Sequence, residues 1–444
     1  MAAFFVTGMN LNKIYNTYFT PGNVSTDSRT IKSGDIFIAL RGDNFNGNEY
    51  AESALNSGAR IAIIDDPEYK KSKNTILVKD CLIFLQELAT YHRKQCTGHF
   101  IGLTGTNGKT TTKELIFSVL SAKYSCQATS GNLNNHIGVP LTILSIRYNT
   151  EIAIIEMGAN HVGEIESLCK ISQPDSGLIT NIGKAHLEGF GSIEGVIKAK
   201  SELYHYLMNI RNKIYVNSKD SLLMNLLDEY KNSIYYNDPS GFCEGEILES
   251  ENSLKLKLTH NNSSITIDTN LFGDYNLNNI LAASCVGIVF NLSLEQIKAG
   301  LENYQPTNQR SQLISSGSTK LFLDCYNANP TSMKESIMSF LKIPSGKKIV
   351  ILGSMKELGD YSEEEHQKIG AILENTYIDH IFLIGKEFNI VKPERTIHIN
   401  NLTELKDYLV KIDLDSTAIL VKGSRANKLE QVQKFIFPDQ PESN

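Results

Sequence analysis

The sequence predicts an α/β protein of three domains, with a central parallel-sheet domain of the P-loop type and a Rossmann-like C-terminal domain. The chain has 444 residues, more than one hydrophobic core usually organises, because domains typically hold about 50–200 residues. Strand-like and helix-like segments alternate through its second and third parts, as in a parallel sheet covered by helices. A glycine-rich turn at 104–110 lies between an apolar strand and a helix. We predict domains over 1–98, 99–312 and 313–444.

The first domain is predicted from short strand-like runs at 36–40, 61–64 and 76–78, which alternate with helical stretches at 50–56 and 81–94. In the central domain we expect strands at 99–103, 152–156 and 178–182, and helices from about Thr110 and at 163–169, 193–206, 276–290 and 294–303. The runs 254–258 and 265–267 indicate a β-hairpin. In the third domain, strands at 321–325, 348–352, 381–384 and 418–421 alternate with helices at 331–341, 362–374 and 402–410 and a final helix.

The composition is that of an ordinary globular protein, with 41% hydrophobic and 21% charged residues. The net charge of −6 argues against a broad nucleic-acid-binding face. The seven cysteines form no CxxC pair, which favours free thiols in a reducing cytosol over disulfides or a zinc site. The N-terminal residues lack a secretory pattern, and the apolar run at 280–290 is too short to cross a bilayer. We therefore expect a cytoplasmic protein without membrane insertion.

The turn TGTNGKT at 104–110 has the features of a phosphate-binding loop. Glycines let main-chain N–H groups turn toward phosphate oxygens, and the N-terminus of the following helix favours an anion. We expect Lys109 to bridge the β- and γ-phosphates of a nucleotide and the Thr110 hydroxyl to bind Mg²⁺. The loop is a GxxGKT variant, since Leu103 stands where the strict motif has glycine. A glycine turn that merely caps a helix is the alternative. The predicted nucleotide contacts are Gly105, Thr106, Asn107, Gly108, Lys109, Thr110 and Thr111.

Two candidate metal ligands follow neighbouring strands of the central domain. Glu156 ends the run at 152–156, and His186 follows the strand at 178–182. Because the carboxyl ends of parallel strands face the ligand crevice, both side chains are expected near the nucleotide. Glu156 could instead cap a helix and His186 could be an ordinary loop residue. Their shared position at strand ends favours a magnesium site, although histidine is an unusual ligand for so hard an ion.

Read in order, these motifs resemble the Mur ligases of peptidoglycan synthesis over nearly the whole chain. The resemblance is carried by TGTNGKTT (104–111), EMGAN (156–160), NIGKAH (181–186), AKSE (199–202), GDYNLNNILAA (273–283), Arg310 and DCYNANP (324–330). Further stretches are similar to the branch of that family that adds D-alanyl-D-alanine: DSR (27–29), GDIFIALRGDNFNG (34–47), GNLNNHIGVP (131–140), LGSMKELGDYSEEEH (352–366) and KGSRANKLE (422–430). The DxxHxPD-like and DNPR-type stretches of the branch that adds the third residue are missing.

The resemblance implies roles for individual residues. It implies ATP bound by the central domain, with two Mg²⁺ ions, one at Thr110 and Glu156 and one at His186 and a Lys200 carbamylated by CO₂. Without the resemblance, Lys200 would count as an ordinary solvated helix lysine. The other implied contacts are Asn276 and Asn279 to adenine, Arg310 and Asp324 to phosphates and ribose, Asn327 and Asn329 to the γ-phosphate side, Ser28 and Arg29 to the UDP-sugar in the first domain, and Asn134 and Asn135 to the muramoyl peptide. The family's usual histidine before the first adenine-contacting asparagine is Tyr275 here, so the stacking on the base is open.

The implied reaction is an ATP-dependent amide ligation that joins UDP-N-acetylmuramoyl-tripeptide to D-alanyl-D-alanine through an acyl phosphate. Lys109, His186, Lys200, Arg310 and Asn329 are the residues assigned to catalysis. Because Arg310 and Asp324 lie beyond the loop-bearing strands, we expect the third domain to close over ATP. The family implies a monomer. The third residue of the peptide, lysine or diaminopimelate, cannot be derived from the sequence.

Three other functions remain as alternatives. A folylpolyglutamate synthetase-like ligase shares the nucleotide machinery but generally lacks a 98-residue segment ahead of the loop. A GTPase switch would normally carry an NKxD-like motif, which the sequence does not contain. A kinase would stop after phosphoryl transfer, and analysis of the products for an amide would separate it from a ligase.

Overall fold

The structure is a computed structural model that describes residues 11–307, 309–391 and 395–438. The chain forms three consecutive α/β units, which we call layers, and each is built on its own sheet. This confirms the predicted fold class. Within the described ranges, no helix combines the length and apolar character needed to span a bilayer.

The first sheet is parallel, with strand order β1-β2-β5-β6. Its inner strands consist of isoleucine, phenylalanine and alanine that are buried on both faces, as the central strands of a parallel sheet require. Gly58, at φ +113°, lies just beyond α2 in a conformation that suits glycine. The elements are α1 (Leu11–Tyr18), β1 (Val24–Ser25), β2 (Ile36–Ile38), β3 (Arg41–Gly42), β4 (Phe45–Asn46), α2 (Ala51–Asn56), β5 (Ile61–Ile64), β6 (Thr75–Leu77) and α3 (Cys81–Arg93).

The central sheet has six parallel strands in the order β12-β11-β10-β7-β9-β8, so the strand that carries the phosphate loop lies inside it. Helix α4 starts at the loop and packs against α10 and α11. The elements are β7 (His99–Thr104), α4 (Lys109–Leu120), β8 (Cys126–Ala128), α5 (Gly138–Ser145), β9 (Ile152–Glu156), α6 (Glu164–Ser172), β10 (Ser176–Ile179), α7 (Leu187–Phe190), α8 (Ile193–Asn209), β11 (Lys213–Asn217), α9 (Ser221–Asn225), β12 (Ser233–Tyr236), β13 (Glu244–Glu249), β14 (Lys255–His260), β15 (Ser263–Asp268), α10 (Asn276–Val289) and α11 (Leu294–Asn303).

The third sheet has the order β16-β17-β21-β18-β19-β20, in which only β16 runs antiparallel to its neighbour. Strand β16 begins at Gln312, the last residue of the predicted central domain, and already belongs to this sheet. The elements are β16 (Gln312–Ser316), β17 (Thr319–Asp324), α12 (Pro330–Leu341), β18 (Lys347–Gly353), α13 (Ser362–Glu374), β19 (His380–Ile384), β20 (Thr396–Ile399), α14 (Leu402–Leu409), β21 (Thr417–Lys422) and α15 (Val432–Ile436).

Some elements differ from the prediction. The expected hairpin at 254–267 is the outer part of a three-stranded antiparallel sheet, because β13 pairs with the other side of β14. β13 is half-exposed and rich in glutamate, so no apolar alternation marks it in the sequence. β8 has only three residues, and α5 contains Pro140 in its first turn, so both lack the length or pattern of a typical strand or helix. The strand predicted at 178–182 is shifted to Ser176–Ile179, which leaves Asn181 in the loop beyond it.

Candidate active site

A cavity of about 1150 Å³ opens at the carboxyl edge of the central sheet. All three parts of the chain line it: Gln86 comes from α3, Lys109 and Glu156 from the central sheet edge, and Asn329 from the start of α12. In parallel α/β sheets this edge is where ligands bind. The cavity therefore lies where the sequence predicted the nucleotide.

Two glycines shape the loop between β7 and α4. Gly105 has φ +146°, and a Cβ atom there would lie 2.0 Å from the Thr180 hydroxyl. Gly108 has φ +75° and precedes the first residue of α4, and its Cβ would lie 2.4 Å from Asn279 Oδ1. A side chain at either position would strain the backbone and also clash. Glycine is thus required for the loop to wrap around an anion at the helix N-terminus.

Lys109 folds back over this loop. Its Nζ donates to the carbonyl oxygens of Gly105 at 2.8 Å and Thr106 at 2.9 Å. Burial lowers the pKa of Lys109 to about 8, Glu156 opposes that shift, and Arg310 adds to it. Two neutral carbonyls are weak partners for a buried cation, so a triphosphate at the loop would raise this pKa and hold the lysine charged. The site fits a polyphosphate.

Glu156 is the centre of a buried polar group beside the loop. Its Oε1 accepts from the Thr110 hydroxyl at 3.2 Å and from Asn134 Nδ2 at 2.8 Å. Its Oε2 is buried without a hydrogen-bond partner, and Lys113 Nζ lies 3.9 Å away. A hydroxyl next to a carboxylate oxygen that lacks a partner fits a hard cation such as Mg²⁺. In the described parts of the chain, no three His, Cys, Asp or Glu side chains cluster as a ready metal site.

The second predicted metal site has His186, directly before α7, and Lys200, on α8. His186 Nδ1 lies 2.5 Å from Glu357 Oε2. Glu357 comes from the third part of the chain, and this contact lowers its pKa. Lys200 is 2% exposed, and its Nζ donates to the Ala159 carbonyl at 3.4 Å. Burial lowers the pKa of Lys200 to about 7. The charge of Lys109 adds to this shift, and Glu164 and Glu202 oppose it.

The pKa of Lys200 bears on the predicted carbamate. A neutral amine, and not an ammonium, is the form that combines with CO₂, and burial gives Lys200 a large neutral fraction near neutral pH. Its Nζ lies near the Ala159 carbonyl and 5.4 Å from the Phe190 ring, and the carboxylates of Glu164 and Glu202 only partly oppose the fall of its pKa. The residue fits the modification.

The three residues predicted around the base sit on or before α10. Asn276 Nδ2 donates to the Phe272 carbonyl at 2.7 Å, and its Oδ1 accepts from Asn279 Nδ2 at 2.8 Å. Asn279 Oδ1 accepts in turn from the Thr112 hydroxyl at 3.0 Å. Tyr275, in place of the family's histidine, bonds Ser311 through its hydroxyl at 3.0 Å. All three line the cavity, and the two asparagines tie α10 to the phosphate loop's helix.

The third part of the chain supplies a charged wall. The Arg310 guanidinium stacks on the Tyr326 ring at 3.8 Å, and its Nε is buried without a hydrogen-bond partner. Arg425 lies 5.4 Å from the same ring. Asp324 Oδ2 pairs with Lys422 Nζ at 2.6 Å. Sequence reasoning assigned no role to Tyr326, Arg425 or Lys422, although two of them stand in the KGSRANKLE stretch.

A direct contact joins the phosphate loop to this wall. Asn329 Nδ2 donates to Asn107 Oδ1 at 2.7 Å, across 222 positions of sequence. Asn329 is also the N-cap of α12, where its Oδ1 accepts from the Ser332 main chain at 2.9 Å. Asn327 lines the cavity, and its Oδ1 accepts from the main-chain N–H of Ala328 at 2.9 Å. Of the two residues predicted on the γ-phosphate side, Asn329 contacts the loop and Asn327 lines the same cavity.

Three segments of the chain match sequence models of one family in order. Residues 22–93 match the Mur ligase family catalytic domain, 103–287 the Mur ligase middle domain, and 309–425 the Mur ligase glutamate ligase domain. A UDP-N-acetylmuramoyl-tripeptide–D-alanyl-D-alanine ligase of Bacillus subtilis is 34% identical over 426 residues, which cover 93% of each chain. The chain belongs to the Mur ligase family.

Solved structures of Mur ligases have the same fold over nearly the full length. MurF from Acinetobacter baumannii is 32% identical with a TM-score of 0.85 and covers 92% of both chains. A MurF ligase from Thermotoga maritima, solved in complex with ADP, is 28% identical with a TM-score of 0.85, and covers 93% of this chain and 96% of that one.

In this Mur ligase the residues predicted to bind the two ends of the UDP-linked substrate lie apart. Asn134 and Asn135 line the large cavity, and Asn135 Oδ1 also accepts from Gly138 N at 2.8 Å at the start of α5. Ser28 and Arg29, by contrast, are not among the described residues that line this cavity. Arg29 is 87% exposed and pairs with Asp27 at 2.7 Å. A second cavity of about 310 Å³ adjoins that turn and α5.

Proposed function

We propose that this Mur ligase joins D-alanyl-D-alanine to UDP-N-acetylmuramoyl-tripeptide, with ATP as the energy source, in the synthesis of peptidoglycan precursors. One observation carries the proposal. Lys109, the open oxygen of Glu156 and the Asn107–Asn329 contact all face one cavity that three parts of the chain line. A ligase that must gather a nucleotide and two further substrates needs such a shared cavity.

The reaction begins when the terminal carboxylate of the tripeptide attacks the γ-phosphorus of ATP. The bond from the γ-phosphorus to the bridging oxygen breaks, and ADP leaves with that electron pair. The D-Ala-D-Ala amine then attacks the acyl carbon of the resulting acyl phosphate, and a tetrahedral intermediate collapses to the amide, phosphate and a proton. Lys109, the loop N–H groups and Arg310 would stabilise charge on the transferring phosphoryl group. No described side chain is required as a covalent nucleophile.

Two Mg²⁺ ions fit the polar groups beside the loop. Thr110 and Glu156 would hold one, and His186 together with a carbamylated Lys200 would hold the other. The metals would neutralise phosphate charge when bound. A carbamate on Lys200 would form from its neutral amine and CO₂ with release of a proton, and it would supply a negative charge and two oxygen ligands.

The remaining roles follow the layout of the cavity. Ser28 and Arg29 would bind the UDP-sugar, with Asn134 and Asn135 along the path of the muramoyl peptide. Asn276 and Asn279 would meet adenine, Asp324 the ribose, and Asn327 and Asn329 the γ-phosphate side. We assign these roles to domains over 1–98, 99–312 and 313–444. We further propose a cytoplasmic protein, because the reaction consumes ATP and nucleotide-linked substrates, and a monomer, as the family resemblance implies.

A coupled phosphate-release assay tests the function. With ATP, Mg²⁺ and UDP-MurNAc-tripeptide, sustained phosphate release should require D-Ala-D-Ala, and mass spectrometry should detect the amide product. Phosphate release without an amide would leave a kinase or ATPase, and release triggered by a folate with glutamate would support the folylpolyglutamate synthetase-like alternative.

Lys200→Ala tests the carbamate separately. It should abolish most turnover, and short carboxylates should restore part of it, because they supply the missing oxygen ligands. Lys198→Ala, an exposed lysine on the same helix, is the matched control and should behave as the wild type. Full activity of Lys200→Ala would remove the carbamate from the mechanism.

A further inference from the structure

Three asparagines form a linked group at the carboxyl edge of the central sheet. Asn217 ends β11, Asn237 follows β12 at φ +67°, and Asn278 lies on α10. Asn217 Nδ2 donates to Asn278 Oδ1 at 3.2 Å, and Asn237 Nδ2 donates to the same oxygen at 3.3 Å. Asn217 and Asn237 are buried, whereas Asn278 is exposed and lines the large cavity. Two buried amides therefore hold one cavity-facing amide.

A main-chain donor fixes which way these amides point. The N–H of Lys219 donates to Asn217 Oδ1 at 3.1 Å. A main-chain N–H cannot accept, so this oxygen is the acceptor and Asn217 Nδ2 is the donor toward Asn278. The atom of Asn278 that meets Asn217 must then be Oδ1. Its Nδ2, which donates to no described residue, is the polar group that Asn278 offers to the cavity.

The group lies at a distance suited to a nucleoside. β11 is two strands from β7 in the sheet, which places its end about 10 Å from the phosphate loop at the usual strand spacing. The neighbouring Asn279 touches that loop at Gly108. A triphosphate held by the loop can thus extend its ribose and base along the sheet edge toward Asn278. The amide nitrogens of Asn276 and Asn279 have partners inside the protein, whereas the described residues include no acceptor for Asn278 Nδ2.

We propose that Asn278 donates from Nδ2 to an unprotonated ring nitrogen of the base of ATP, and that Asn217 and Asn237 are positioning residues that hold this orientation. The inference rests on the proposed ATP-dependent function. It makes the Asn278 amide a determinant of base selectivity, because a base that presents a ring N–H at that point would face a second donor.

The test measures the Kd of ATP and of its 1-deaza, 3-deaza and 7-deaza analogues, each of which replaces one ring nitrogen by C–H. One analogue should bind the wild type about three- to tenfold more weakly than ATP, the usual effect of one hydrogen bond. Asn278→Ala should bind ATP and that analogue equally. Asn278→Asp, which replaces the donor by an acceptor of the same shape, should bind ATP more weakly than Asn278→Ala. Asn225→Ala, an exposed asparagine on α9, is the matched control and should keep the wild-type pattern.

Two results would overturn the inference. Either all three analogues bind the wild type as ATP does, or Asn278→Ala keeps the wild-type discrimination. The analogue series on the wild type decides the question even if a variant folds poorly. Lys109→Ala tells a failure of the proposed nucleotide site from a failure of the Asn278 contact. If this variant binds ATP as the wild type does, the proposed nucleotide site itself is wrong. If ATP binding is lost there but analogue discrimination is unchanged in Asn278→Ala, only this inference fails.

Discussion

The central layer contacts the N-terminal and the C-terminal layer through two interfaces, which we call seams, and the two seams differ in chemistry. Toward the N-terminal layer, α3 packs against α5 and α6, and a buried polar chain crosses the seam. His92 Nε2 donates to the Ile146 carbonyl at 2.8 Å, which leaves Nδ1 to accept from the Tyr15 hydroxyl at 2.7 Å. Arg93 adds a pair with Asp175 at 2.9 Å. His92 is fully buried in this seam and both of its ring nitrogens have partners, whereas the Asp175 side chain is 39% exposed.

The seam toward the C-terminal layer is apolar at its base and charged at its opening. The rings of Phe272 and Phe322 lie 4.5 Å apart between the layers, tilted by 51° to each other. At the opening, Lys184 pairs with Glu365 at 2.7 Å, and His186 contacts Glu357. These pairs are partly exposed, and pairs of this kind contribute only about 0–1 kcal/mol each. We infer that the first two layers act as one body. The closure of the third layer over ATP, at this charged side, stays a prediction.

The largest effect is expected in the central layer, at the lysine of the phosphate loop. Lys109→Ala removes the buried cation at the loop, so turnover should fall by about 10²–10³-fold, the usual loss for one charge-stabilising donor. Stability should be kept, because a buried lysine with a lowered pKa is not a stabilising charge. Steady-state phosphate release and urea unfolding measure the two. Lys170→Ala, an exposed lysine of α6, is the control, and a loss below tenfold would contradict the assignment.

A contact across the C-terminal seam comes next. Asn329→Ala removes both the bond to Asn107 and the cap of α12, so turnover should fall about tenfold and the free energy of unfolding by about 1 kcal/mol. Asn329→Asp keeps a capping oxygen but loses the donor to Asn107. It should be as stable as the wild type and as slow as the alanine variant. If the aspartate variant recovers activity as well as stability, the contact with the loop has no role in turnover.

The charged opening should respond to salt. Glu357→Gln and Glu365→Gln together remove two anions that contact His186 and Lys184. The KM for ATP should rise about two- to threefold at low salt, because exposed pairs are weak. High salt should produce the same change in the wild type and little further change in the variant, since the pairs are screened. Equal salt dependence in both proteins would show that these pairs do not set the closed state. Glu166→Gln, in an exposed pair within α6, is the control.

The parts of the site that follow one strand were predictable, and the parts that cross layers were not. The loop follows an apolar run, Glu156 ends one and His186 lies in the loop after one, so local pattern and the strand-end rule were enough. The Asn107–Asn329 contact crosses layers over 222 positions, and the Asp324–Lys422 pair joins neighbouring strands of the third sheet over 98, so only the order of strands in space brings these residues together. The roles of Lys200, Arg310 and Ser28 came from the family resemblance, because a lysine or arginine on a helix or loop has no distinguishing pattern.

The smallest effect on turnover is expected from a change in the seam toward the N-terminal layer, which is tested by the pH dependence of stability. Burial lowers the pKa of His92, so the unfolded chain binds a proton near pH 6.5 that the folded chain does not. Stability therefore rises with pH up to about 6.5 and is flat with respect to this group above it, with a slope of at most about 1.4 kcal/mol per pH unit. His92→Gln should make this acid limb shallower while activity at pH 8 stays near wild type, and urea unfolding between pH 5 and 8 measures it. His205→Gln, an exposed histidine of α8, is the control. Parallel pH profiles for His92→Gln and the wild type would mean that the pKa of His92 does not change on folding, which would contradict its lowering by burial in the first seam.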